Sequence, residues 1–295
     1  MTQNIFEKVA VHDFAFHADE VVAVAAIRVL YGEPEEIRRI SARDKEAIAK
    51  AQEEGFALVD VGGGEFDHHG KGVRENTYAN GVIRSALGKV LDQAVADGKL
   101  TAEQLEVMLM NGLYDLQARD NGQDVEGVTA SPFGFVHWLN GPEPADSEDQ
   151  EWRFLEAVNT SKKVFSAMVR DAEKAIPEHG ECIEAFEAMD ENGVADFPHH
   201  MGHSVLECQM WNASHPEKEV KFFTFPTGRG TFMVQGVNKV GKFALNHSLP
   251  HKGLKEGELN EAAGIQDGVF VHINGFIGSA VSLASCHILA GQAED

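Results

Sequence analysis

Cysteine is scarce: the 295 residues contain only Cys182, Cys208 and Cys286, with no C-x-x-C pair. So few, scattered thiols exclude a disulfide framework and a thiolate zinc site, and they fit a reducing cytoplasm. The chain also lacks an apolar run of the roughly 18 residues that a membrane helix needs. The longest candidate, Val21 to Leu30, is broken by Arg28. At the start, Met1 to Glu7 shows no basic segment followed by a long apolar stretch, so no secretory leader is expected. The expected compartment is the cytoplasm. Bases are few as well: 25 Lys and Arg stand against 47 Asp and Glu, a formal charge of −22. Such a surface repels nucleic acid at long range and excludes a general duplex-coating protein. No ladder of aromatic and basic residues for stacking successive bases is evident. Internal repeats and low-complexity tracts are also lacking.

What is present points to a folded enzyme. Hydrophobic residues make up 43%, enough to bury a proper core. The acid excess is uneven: residues 140–199 carry 15 acids against 5 bases, and residues 200–295 carry 9 against 7. The C-terminal third is therefore the part least hostile to a phosphate. Fourteen histidines are the unusual count, and their positions matter most.

Glu7 to Val11 reads as a buried strand ending at His12-Asp13. Asp19 can cap a buried helix from Glu20 to Tyr31. Glu36 to Ile40 reads as a second strand. Ser41-Ala42-Arg43-Asp44 opens a helix through Gln52, with the serine as cap. Phe56 to Val61 is a third strand, ending at Gly62-Gly63-Gly64. Alternating strands and helices predict a parallel α/β sheet, which binds ligands beyond the carboxyl ends of its strands. Tyr78 to Ala96 and Thr101 to about Ala118 read as helices, the second opened by a capping box. Asn140 to Gln150 reads as a solvated, acidic loop. Trp152 to Ala175 and Glu181 to Met189 read as helices of a connector. Lys221 to Phe225, Thr231 to Val237 and Val269 to Ile273 read as strands. These spans give two domains, residues 1–190 and 191–295.

Four clusters carry chemistry. The first, His12-Asp13-Phe14-Ala15-Phe16-His17-Ala18-Asp19-Glu20, follows a strand; the second is Asp60 ahead of three glycines; the third is Asp67-His68-His69; the fourth is Asp120-Asn121-Gly122. Taken singly, Asp19 reads more readily as a helix cap than as a ligand, His68-His69 as a surface pair, and Asp120 could simply belong to a turn. Three of the clusters fall at predicted strand ends, where one pocket forms, and this coincidence favours a metal site. Mixed imidazole and carboxylate suits Mn²⁺, Fe²⁺, Co²⁺ or Zn²⁺ better than calcium. The donors outnumber what one tetrahedral ion needs. Two ions sharing a carboxylate, roughly 3.5–4 Å apart, are the usual arrangement for splitting phosphate esters.

The order H-x4-H-x-D-E, D-V-G-G-G, D-H-H and D-N-G resembles the DHH phosphoesterase superfamily, and most of all its melanocyte-proliferating-gene branch of metal-dependent hydrolases. In the C-terminal half, Phe232-Met233-Val234-Gln235 and Val271-His272-Ile273-Asn274-Gly275-Phe276-Ile277-Gly278 resemble further motifs of that branch, so the likeness covers nearly the whole chain. The resemblance implies an α/β fold: a parallel-sheet DHH-type N-terminal domain with a helical connector, and a smaller mixed α+β C-terminal domain. It also implies two divalent ions, Mn²⁺ above Mg²⁺, Co²⁺ or Zn²⁺. His12, His17 and Asp60 would hold one ion; Asp19, Asp60, His68 and Asp120 would hold the other. His69 would act beside the phosphate, with Asp67 orienting a histidine ring.

Arg229, between Gly228 and Gly230, reads either as a phosphate fork or as a solvated turn residue. His272 sits where the branch has a histidine. Gly275, Gly278 and Ser279 precede an apolar stretch, Ala280 to Leu289, whose helix N-terminus could take an anion. His199, His200 and His203 read as surface residues near a turn; the branch tends to carry Trp-Lys-Glu near Pro198, which this chain lacks.

The activity attributed to the branch implies a 3′-to-5′ exonuclease on RNA or short single strands. The charge of −22 favours the alternative, a small-molecule phosphohydrolase acting on pyrophosphate, a dinucleotide or a nucleoside phosphate. A decayed, non-enzymatic metal protein is disfavoured by the full set of ligands. A zinc hydrolase of another fold is disfavoured by the lack of an H-E-x-x-H or H-x-H-x-D-H signature.

Overall fold

The computed structural model describes residues 4–69, 76–140, 147–240, 242 and 244–293. The chain divides into two compact units, residues 1–173 and 174–295.

The first unit is built on a parallel sheet of β1 (Lys8–His12), β2 (Glu36–Ile40) and β3 (Ala57–Leu58), in the order β2-β1-β3. The central strand, β1, is apolar on both faces, as a covered parallel strand must be. Val9 and Val11 face a core shared with α1 (Ala18–Leu30) and α3 (Ala86–Ala96). Ala10 faces a smaller core with Phe56, Leu58 and Ala51 of α2 (Lys45–Glu53). Every residue of α1 from Asp19 to Ile27 is buried, which is why the helix is apolar nearly all round. α4 (Ala102–Met108), a wide turn at Leu109–Leu113 and α5 (Tyr114–Asp120) follow; α6 (Val136–Leu139) and α7 (Ser147–Ala188) complete the helices of this region.

Several expectations shift. Asp19 lies inside α1, whose cap is His17, and Asp44 rather than Ser41 caps α2 by accepting the Ala47 N–H at 3.0 Å. The third strand pairs over only two residues. The helix expected from Tyr78 begins at Ala86, because Thr77 and Ile83 pair across a turn. The helix after Thr101 breaks at Gly112 (φ +111), where a Cβ would meet the Ala130 carbonyl at 2.9 Å. The two connector helices are one, with Pro177 inside. Of the expected loop 140–150, residues 141–146 lie outside the described residues; α7 has begun by Ser147, and Gln150 is buried.

The second unit contains a mixed sheet in the order β4-β5-β6-β8-β7: β4 (Val194–Asp196), β5 (Phe222–Pro226), β6 (Phe232–Gly236), β7 (Gly268–Val271) and β8 (Ile277–Ala280). Only β4 and β5 pair in parallel. α8 (Ser204–Ser214), α9 (Glu256–Ala263) and α10 (Leu283–Gly291) accompany it. The C-terminal helix thus starts at Leu283 with Ser282 as cap, and Gly278 and Ser279 belong to a strand rather than to a helix N-terminus. Among the described residues no helix is long and apolar enough to cross a membrane.

Gln117 ties the first unit together: fully buried, its Oε1 accepts from the Ser85 N–H at 3.2 Å and the Tyr78 hydroxyl at 3.3 Å. Gly88 leaves room for that oxygen, which a Cβ would meet at 2.1 Å. Gly88→Ala should lower stability by about 1–3 kcal/mol, whereas Gly134→Ala, whose Cβ meets nothing within 4 Å, should stay near wild type. Urea unfolding checks this; equal midpoints for the two variants would contradict the packing described.

Candidate metal centre

The cluster forms where β1, β3 and α5 end and α1 begins. His12 closes β1. The loop behind it is held at several points. Asn140 brackets Phe16, accepting its N–H at 3.2 Å and donating to its carbonyl at 2.7 Å. Gln150 donates to the Phe14 carbonyl at 3.1 Å, and Arg39, stacked over Phe154, donates to the same oxygen. Phe14 has φ +62 and Asp60 φ +58, left-handed conformations that cost a non-glycine residue about 1–3 kcal/mol. Both residues sit at the site, so the chain there is held by its surroundings against its own preference.

Asp60 is the meeting point. Its Oδ1 lies 3.0 Å from His68 Nε2 and 3.2 Å from His69 Nδ1, and its Oδ2 lies 3.5 Å from His12 Nε2. His12 Nδ1 donates to the Asp13 carbonyl at 2.7 Å, which turns Nε2 inward to 2.9 Å from Glu20 Oε1. His68 Nδ1 is 3.2 Å from Asn121 Oδ1, which turns its Nε2 towards Asp60, Asp120 (3.1 Å) and Asp19 (3.6 Å). In each ring the outer nitrogen is satisfied and the inner one is free to ligate. Asp67 accepts the Gly63 N–H at 2.6 Å and the His69 N–H at 2.8 Å, and holds His69 Nδ1 at 3.0 Å. Lys89 donates to the Asp67 carbonyl at 2.5 Å, pinning the D-H-H segment.

Three overlapping groups have donor atoms within 4.8 Å of one another: His12, His17, Glu20 and Asp60; Asp60, His68 and His69; His17, Asp19 and Asp120. The expected ligands therefore converge. Glu20, quoted in the motif but left out of the expected ligand set, joins them. It is fully buried in the first turn of α1, with Oε1 also accepting the His17 N–H at 2.7 Å. Its position one residue after Asp19 was the available signal. His69, expected only beside the phosphate, lies within ligating range.

The buried donors suit cations. His12 Nε2, both oxygens of Asp19 and of Asp60, Glu20 Oε2 and Asp120 Oδ2 are buried without a well-directed hydrogen bond. Uncompensated buried carboxylates cost several kcal/mol each, and a divalent cation removes that cost. The protonation preferences of the same groups point the same way. Burial, then the charges of Asp60, Asp120 and Glu20, push Asp19 well above the usual carboxylate range. Burial would raise Asp60 too, yet His68, His69 and His12 hold it at about 2. Burial opposes charge on His12 and His68, but Glu20 beside the first, and Asp120 and Asp60 beside the second, raise both to about 9.

In the second unit, Arg229 is exposed at the β5–β6 turn, its N–H donating to Thr227 Oγ1 at 3.2 Å. His272 accepts the Asn274 N–H at 3.2 Å and packs edge-on against Phe276. Both glycines have packing reasons: a Cβ at Gly275 would meet the Leu249 carbonyl at 2.7 Å, and one at Gly278 the Leu249 side chain at 3.1 Å. His199 and His200 are exposed. His203, expected at the surface, is buried, 3.7 Å from Glu178.

Two groups of imidazole and carboxylate donors that share one buried aspartate define a class of chain able to hold a pair of divalent cations. The sequence makes the class specific: a family model for MYG1-type exonucleases, described as Uncharacterised protein family (UPF0160), matches residues 8–293, and the chain belongs to that family. A MYG1 protein of Saccharomyces cerevisiae is 23% identical, covering 98% of this chain and 96% of its own length. The MYG1 exonuclease of Homo sapiens is 25% identical over 92% of this chain and 81% of its own length. A MYG1 protein of Chlamydia muridarum is 24% identical over 96% and 95%. A solved pGpG-specific phosphodiesterase of Vibrio, 10% identical, aligns over 95% of this chain and 94% of its own with a TM-score of 0.31, too low to define a shared fold.

At pH 7 the cation-free chain carries protons on His12 and His68, and a ligating imidazole must be neutral. Metal binding should therefore release at least two protons, and affinity should rise with pH towards about 9. Calorimetric titration with Mn²⁺ in buffers of different ionisation enthalpy measures this; binding that releases no protons would contradict the ligand set.

Proposed function

We propose that this chain is a metal-dependent phosphodiesterase of the DHH type, which trims RNA or short single strands from the 3′ end. It is an enzyme, a phosphoester hydrolase, and its substrate carries phosphate. The observation that carries the reading is the position of Asp60, itself buried, between two groups of imidazole and carboxylate donors, the arrangement that in-line phosphoryl displacement uses. Membership of a family whose mouse and human members are named MYG1 exonuclease supports the nuclease assignment.

His12, His17, Glu20 and Asp60 would hold one ion, and Asp19, Asp60, His68 and Asp120 the other; Mn²⁺ is the metal we assign. When bound, such ions acidify a shared water towards neutrality and polarise the phosphoryl oxygens. The protein's own part is positional. Asp67 and Asp60 clasp His69 at Nδ1, which leaves Nε2 to donate a proton to the phosphate or the leaving oxygen. The same two carboxylates, set against partial burial, raise this ring to about 10, so it is protonated at neutral pH. In the second unit we assign Arg229 and His272 to the substrate phosphates, and Gly275 and Gly278 to the backbone that approaches them. The net charge of −22 keeps the small-molecule phosphohydrolase as the second reading.

The protein loaded with Mn²⁺ should shorten a 5′-labelled single-stranded RNA stepwise. EDTA and Asp60→Asn should abolish cleavage, and His69→Gln should lower kcat by about 10²–10⁴. Turnover of pyrophosphate or a dinucleotide alone would move the function to the second reading. Cleavage that survives EDTA would overturn the metal mechanism.

A further inference from the structure

The metal cluster opens into a cleft of about 880 Å³, near the upper end of the roughly 300–1,000 Å³ usual for small-ligand pockets. Its lining includes His12, His17, Asp60 and His69 of the cluster, and Arg43, Lys45 and Ile48 from α2 and the residues before it. Phe14 stands at the cleft as well.

Two features of the cleft are unused by the fold. Among the described residues, the side chains of Arg43 and Lys45 have no ion-pair or hydrogen-bond partner. In the same unit Arg28, Arg38, Arg84, Arg119 and Arg153 are each paired with a carboxylate. Asp44, between the two bases, is turned to its capping bond with Ala47. Free cations beside an acid-rich cluster thus remain available to a ligand. Phe14, for its part, is 65% exposed, although Arg39 and Gln150 fix its carbonyl and its backbone is held in the left-handed region. An aromatic held rigidly in solvent beside two unpaired bases is a stacking platform with a phosphate clamp, the pair of elements that single strands bind. Phe14 and Arg43 lie 29 residues apart in the chain, which is why no such ladder is visible in the sequence.

The geometry points to a strand path: the cleft continues the metal centre into a single-strand subsite, where Phe14 stacks a base next to the scissile phosphate and Arg43 with Lys45 takes the following phosphodiester. This rests on the phosphodiesterase reading and adds its direction along the surface. A dinucleotide has one phosphodiester and leaves the clamp empty; a trinucleotide fills it.

The test is binding of fluorescently labelled single-stranded RNAs of two, three and six nucleotides, with non-bridging phosphorothioates to slow cleavage, to the Mn²⁺-loaded protein. Affinity should step up about tenfold between two and three nucleotides, the scale of one charge-assisted phosphate contact. Arg43→Gln with Lys45→Gln should erase that step, leave dinucleotide affinity unchanged, and lower the salt slope for the longer strands by about 0.7. Phe14→Ala should weaken all three RNAs and Phe14→Trp should restore them. Equal wild-type affinities for two and three nucleotides, or a step that survives in the double variant, would overturn the strand path. Cleavage of the unmodified RNAs, scored in parallel, separates the two claims. A step without cleavage keeps the subsite and removes the hydrolase reading; cleavage without a step does the reverse.

Discussion

The structure turns on electrostatic crowding around one backbone position. Asp60, at φ +58 and buried, holds its carboxylate among three imidazoles while Asp19, Glu20 and Asp120 stand nearby. Like charges taken out of water at such spacing destabilise the fold unless cations join them. Protons meet part of the demand: burial and the neighbouring carboxylates raise Asp19 well above the usual range, and His12 and His68, raised to about 9, hold their protons at neutral pH. Divalent ions would answer the whole of it, because they would satisfy the lone pairs that no well-directed hydrogen bond reaches. A cluster of this kind couples metal binding to stability and to proton release in one step.

The surrounding scaffold exists to keep that crowding in register. Parallel strands deliver His12 and Asp60 at adjacent ends, and the buried α1 delivers Asp19 and Glu20 in its first turn, beside them. Side chains far away in the chain then lock the loops: Asn140 and Gln150 grip the backbone around Phe16 and Phe14, Lys89 holds the Asp67 carbonyl, and Asn121 sets the His68 ring. Removing one of these would leave every ligand in place by sequence and misplace it by geometry. The same clamps present Phe14 outward, so the rigidity that serves the metal centre also shapes the wall of the cleft.

Much of the candidate centre was legible because its donors lie in short motifs at strand ends, where continuous apolar runs stop at His12 and near Asp60. The sheet itself was legible for the same reason: Val9, Ala10 and Val11 are apolar on consecutive positions, as only a strand covered on both faces would be. Other parts were written in contacts between distant residues. Gln150 looked like the end of a solvated acidic loop, yet it is buried through a partner ten residues away and another at Phe14. The helix expected from Tyr78 is delayed by the Thr77–Ile83 pairing, which overrides an apolar spacing that suits a helix equally well. The connector reads as two helices, Trp152 to Ala175 and Glu181 to Met189, but one helix continues through Pro177 between them, since losing one backbone bond does not outweigh the flanking turns. Gly275 and Gly278, besides the substrate role assigned to them, approach Leu249 closely, a packing reason that no local pattern could reveal.

The most direct test of this account is anomalous diffraction at the manganese edge from crystals grown with Mn²⁺. The account requires two peaks, roughly 3.5–4 Å apart, both bonded to Asp60, with Glu20 contacting the ion that His12 and His17 bind. A single ion, or two ions with Asp60 bound to neither or only one, would contradict it.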